Sequence, residues 1–152
     1  MTESIRISGE AAEVARAEAQ AVLSMVQDET RRLRLADLVA AVDGGEVEGA
    51  DADALAELLE LGLATGRVRA IYGPEGEQAA LALFRRLPLG RELGESAREL
   101  NGALEALEGR TIEKISVNAV GPGEYGVTIS TEDFEIVLRL GRAGARLATI
   151  GA

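Results

Sequence analysis

Residues 111–150 read TIEKISVNAV, GPGE, YGVTIST, ED, FEIVLRL, GRAG, ARLATI, with the commas set where the pattern changes. Thr111–Val120, Tyr125–Thr131, Phe134–Leu140 and Ala145–Ile150 alternate apolar and polar residues, the period of a half-buried strand. The connections Gly121-Pro122-Gly123-Glu124, Glu132-Asp133 and 141–144 are too short for a crossover, so the strands are expected to form an antiparallel meander. One face collects Ile115, Val117, Ala119, Tyr125, Val127, Ile129, Phe134, Ile136, Leu138, Leu140 and Leu147. The other collects Lys114, Ser116, Asn118, Thr128, Ser130, Glu135 and Arg139, with Val137, Ala148 and Ile150 as an apolar spot. One face should be dry and the other wet.

The residues just upstream supply a cover for the dry face. Leu93, Ala97, Leu100, Leu104 and Leu107 step by four and three, which predicts a helix from about Arg91 to Glu108, ended by Gly109. Gly94 and Gly102 each weaken such a helix by up to about 1 kcal/mol relative to alanine, so it needs a surface to rest on. The sheet is that surface.

Residues 1–88 read mainly as helices. Ser8-Gly9-Glu10 is a helix start, and the alanine-rich run to about Thr30 carries Val14, Ala17, Ala21 and Met25 on one stripe, with Ala15, Ala19, Val22 and Val26 beside it. Arg31, Arg32 and Arg34 alternate with Leu33 and Leu35, which predicts a break or a very short strand. Leu35, Leu38, Val39 and Val42 have helical spacing, and Asp43-Gly44-Gly45 stops that helix. Asp51 should cap a helix that carries Leu55, Leu58 and Leu59 and ends at Gly62. Residues 66–72 alternate like a short strand. Gly73-Pro74-Glu75 reads either as a helix start or as a hairpin turn; Ala79, Ala80 and Ala82 are poor strand residues and favour the helix. Pro88 and Gly90 are expected to break the chain.

The expected fold is therefore α+β: a helical unit over 1–88, then one helix on a four-stranded antiparallel sheet over 89–152. The order helix, short strand, helix, helix, arginine-bearing strand in residues 8–72 resembles a winged-helix or helix-turn-helix layout. That resemblance is one of layout, with no family motif behind it.

Inventory limits the chemistry. The chain has no histidine and no cysteine, and its one lysine is Lys114. Imidazole triads, thiol nucleophiles and His/Cys metal sites are excluded. Tyr72, Phe84, Tyr125 and Phe134 are the only aromatics, too few to build a core and also a stacking platform for single-stranded nucleic acid. The Gly121–Gly126 run matches G-x-G-x-x-G, but a strand follows where a phosphate-binding helix N-terminus is required, so a hairpin turn is the better reading. The five carboxylates of 43–53 lack the register of a calcium loop and read as a solvated acidic segment. No metal and no cofactor is expected.

Net charge is −10, unevenly placed. Residues 1–66 balance to −9, residues 67–91 to +3 and residues 92–152 to −4. Arg67, Arg69, Arg85, Arg86 and Arg91 form the basic island, the candidate contacts for a partner or for phosphate. DNA reading is disfavoured, because the helix after the 43–51 link would present Asp51, Asp53, Glu57 and Glu60 to the duplex. With no basic-then-apolar start and no long apolar run, a cytoplasmic protein without a membrane span is expected. These readings point to a non-enzymatic interaction or regulatory module that binds another protein or itself as a homodimer. The alternatives are a DNA-binding regulator using the arginine island and a small-ligand binder with a pocket between the leucine helix and the sheet.

Overall fold

The Asp28 side chain accepts a hydrogen bond from the backbone N–H of Arg31 at 2.8 Å, and this cap opens a helix where the arginine–leucine alternation predicts a break. In the computed structural model, which describes residues 3–151, α1 accordingly spans Gly9–Met25 and α2 spans Glu29–Asp43. The interruption falls at 26–28, ahead of the arginines. The predicted helix end near Thr30 and the short strand at 31–35 are both corrected by that cap. Leu38 and Val42 are buried, as the helical spacing requires.

A two-residue strand on each side of this helix pair forms a small antiparallel ladder. β1 (Ile5–Arg6) sets Ile5 opposite Val47 of β2 (Glu46–Val47), and both side chains are buried. Part of the acidic 43–51 link is thus pinned. α3 spans Gly49–Ala64, so it starts two residues ahead of Asp51 and continues past Gly62, which is buried inside it.

The expected strand at 66–72 is helical. Positions 68, 70 and 72 alternate, yet Val68 and Tyr72 are also four apart and share one helical face. Val68 is fully buried while Ile71 is 55% exposed, which fits that helical face. α4 (Arg67–Phe84) therefore lacks the strand a wing would need. Gly73, at φ 73° and ψ −175°, divides it into two helical pieces. That conformation is open to glycine at little cost, and Pro74 then takes the first position of the second piece. The favoured helix over the 74–87 stretch is present to Phe84.

Pro88 and Gly90 do not break the chain. They open α5 (Pro88–Leu104), because proline in a first turn lacks only an N–H that would be unbonded anyway. A Cβ on Gly90 would lie 1.9 Å from the Phe84 carbonyl oxygen, so the bare glycine lets this turn start tight against the end of α4.

The chain divides at this point into two compact units, Met1–Arg91 and Glu92–Ala152. The first is built by α1 packing on α2, α3 and α4, and α3 on α4. Its core includes Val14, Leu38, Leu55, Leu59 and Val68.

The second unit holds most of α5, a 3₁₀ turn at Glu105–Leu107, and β3 (Ile112–Gly121), β4 (Glu124–Thr131), β5 (Glu135–Gly141) and β6 (Gly144–Gly151). The strands lie in the order β3-β4-β5-β6, each antiparallel to the next. Class, strand order and turns are those expected, and the fold is α+β. Three rows cross the dry face: Ile115–Ile129–Ile136–Ile150, Val117–Val127–Leu138–Leu147 and Ala119–Tyr125–Leu140–Ala145. Ile150 belongs to the dry face and not to the polar one. The pairs Val137–Thr149 and Leu138–Leu147 leave Ala148 as an extra residue, and that bulge inverts the alternation for the end of β6.

Candidate interaction surface

The α5 stripe covers only the middle of the dry face. Leu100 is buried, Leu104 and Leu107 are half-buried, and they lie with Ile136, Leu138, Val127, Ile129 and Phe134. One helix is about 10 Å wide and neighbouring strands are about 4.8 Å apart, so a single helix shields roughly two strands of four. The edges stay open. On β3, Ile115 is 59% and Val117 62% exposed, and Tyr125 on β4 is 51% exposed. Leu140, Leu147 and Ile150, on β5 and β6, are exposed as well.

The five island arginines do not converge. Arg67 Nε donates to both Glu18 carboxylate oxygens at 3.2 and 3.3 Å. Arg69 pairs with Glu77 at 3.2 Å, and Arg86 donates to the Arg6 carbonyl at 2.9 Å. Arg91 donates to both oxygens of Glu3, at 2.5 and 2.8 Å, and this pairing holds the Glu3 carboxyl below its ordinary range. Arg85 is exposed. Four of the five are therefore engaged within the first unit.

Glu18 is a buried acid within the apolar stripe of α1. It is 3% exposed, between Ala15 and Ala19 on the buried side of α1. Besides Arg67 it accepts a hydrogen bond from the Tyr72 hydroxyl at 2.9 Å. Burial, then the Glu18 hydrogen bond and charge, push the Tyr72 hydroxyl up to about 12, with Arg67 opposing. The signal was available: an acid that falls between alanines of the apolar stripe needs a partner from elsewhere in the chain. Every hydrogen-bonding side-chain atom buried among the described residues has a partner, so this cluster reads as a satisfied structural anchor.

Beside it, Val22, Met25, Leu35, Leu58 and Leu61 wall a cleft of about 440 Å³ between α1, α2 and α3, rimmed by Arg31, Arg34 and Glu57. It lies in the first unit, away from the place between leucine helix and sheet that the small-ligand alternative would use. The Gly121–Gly126 run is the β3–β4 hairpin, as expected for a turn. Among the described residues no group of three or more carboxylates is placed to hold a metal ion, and no helix is long and apolar enough to cross a membrane.

Comparison with known protein families, with characterised proteins and with solved structures returns no match for this chain.

Proposed function

We propose that the protein is a non-enzymatic, cytoplasmic interaction or regulatory module whose binding surface is the open part of the dry sheet face. One observation carries this reading. Ile115, Val117 and Tyr125 are all more than half exposed and adjoin across β3 and β4, and clustered exposed apolar residues mark association sites far more often than scattered ones do. The pairing of Arg67, Arg69 and Arg91 with carboxylates of the first unit supports a protein partner over a phosphate backbone, since an acid beside each offsets the charge that would draw phosphate. The test is a photo-crosslinking amino acid at Val117 in cells, with Asp53 as a solvated control position. Discrete adducts at Val117, to this chain or to another protein, and none at Asp53, support the reading. No adduct at Val117 refutes it.

A further inference from the structure

We infer that β3 pairs antiparallel with β3 of a second copy of this chain, about a two-fold axis at Ser116; the inference rests on the interaction reading above and names the partner. Among the described residues β3 bonds only to β4, so its outer edge presents unpaired backbone N–H and C=O groups, the template for another strand. Protected edges carry charge or proline along their length. Residues 115–121 of β3 carry neither, and its only charges, Glu113 and Lys114, sit together near one end. Register irregularities fall between Ile112 and Lys114 and between Ala119 and Gly121, which leaves 114–119 as a regular stretch able to accept a partner.

The charges choose the direction. In parallel pairing each Lys114 would lie beside its counterpart at about 4.8 Å, where like charges repel. Antiparallel pairing about Ser116 sets Lys114 opposite Asn118 of the other copy. The two lysines are then four residues apart along the strands, about 14 Å, beyond the screening length at physiological salt. The same register sets Ile115 against Val117 of the second copy and Val117 against its Ile115, with Cβ atoms about 4.5–5.5 Å apart. The strip is thus self-complementary, as a two-fold contact requires. β6, the opposite edge, is the poorer candidate, because Arg146 lies within it and the extra Ala148 interrupts its ladder.

One strand edge and a few apolar side chains lie at the small end of protein interfaces, so the expected dissociation constant is on the order of tens of micromolar. The experiment uses the full chain. Sedimentation equilibrium up to about 200 µM should show a monomer–dimer equilibrium, and Val117→Lys, at an exposed position, should weaken it at least about tenfold. A second measurement uses the absence of native cysteine. Ser116→Cys faces its own counterpart across the axis and should form a covalent dimer on mild oxidation at least about tenfold faster than Thr149→Cys on β6. A monomer at every concentration, a dimer indifferent to Val117→Lys, or equal oxidation of the two cysteine variants would each overturn the pairing. If such a chain still gives adducts with another protein through Val117, self-pairing fails while the interaction reading stands.

Discussion

Glu18 shows how a single buried charge is accommodated. Its carboxylate sits among alanines of α1 and meets two donors from α4, Arg67 and Tyr72. Arg67 is 44% exposed and can turn to water when the partner is removed, whereas the Tyr72 hydroxyl is left with less choice. Glu18→Ala is therefore expected to cost about 1.5–3 kcal/mol, the range for a hydrogen bond to a charged group. Glu18→Leu should cost less, since an apolar side chain of similar size removes the buried charge along with its bonds. Urea melts of both variants decide it, and an alanine variant as stable as the parent would show the cluster to be idle. The Tyr72 hydroxyl gives a pH signature. Its affinity for the proton is raised by folding from 10.0 to about 12, so the neutral form stabilises the fold. That contribution is full below pH 10 and is lost as pH rises through about 12. Tyr72→Phe should lose less stability than the parent between pH of about 9 and about 11.5; parallel losses would show that another group governs the alkaline limit. The local sequence signals that Glu18 needs a partner but not which one, because residues 18, 67 and 72 meet only through the packing of α1 on α4.

At the scale of elements, legibility followed how many patterns agreed at each place. In residues 111–150 the two-residue period, the turn glycines and the apolar face all pointed to one meander, and the strands fall within a residue or two of their expected ends. Residues 67–72 were ambiguous, because 68, 70 and 72 satisfy a strand while 68 and 72 satisfy a helix. At 88–90 the breaker residues were read correctly as punctuation but as the wrong kind, a start in place of a stop. The β6 bulge was invisible because one extra residue changes which face Ile150 takes without altering composition. The incomplete cover of the dry face was not legible either: periodicity says which residues share a face and nothing about how wide a neighbour must be to shield them. The Leu100 position tests the cover directly. It is 6% exposed, and Leu100→Ala should cost about 2–5 kcal/mol, as for other buried leucines. A loss below about half a kcal/mol in denaturant melts would place the stripe on the surface.

At the scale of the whole chain, the two units differ in how much core they own. Among the described residues the first has sixteen buried apolar residues in one cluster, and the second has three, Leu100, Ile136 and Leu138. A unit of about sixty residues removes only about 60% of its unfolded surface from water even when well covered, and here the sheet edges remain open besides. Burying apolar surface contributes roughly 25 cal/mol per Å², so a sheet with so few buried side chains rests on a small margin. Amides at the centre of β4 and β5 should therefore exchange with deuterium through a smaller opening free energy than those at the centre of α3, where Leu55 and Leu59 are fully buried. Mass spectrometry of exchange on the full chain, resolved to peptides from 49–64 and from 124–141, reads this difference at a single protein concentration. Equal protection of the two segments would mean that the cores open as one cooperative unit. If the sheet does exchange faster, anything that pairs with its edge should slow it without slowing α3, because ligation stabilises only the part that unfolds with loss of the contact. Repeating the measurement across protein concentration then separates the two sources of protection: intrinsic core packing is independent of concentration, and strand pairing between copies is not.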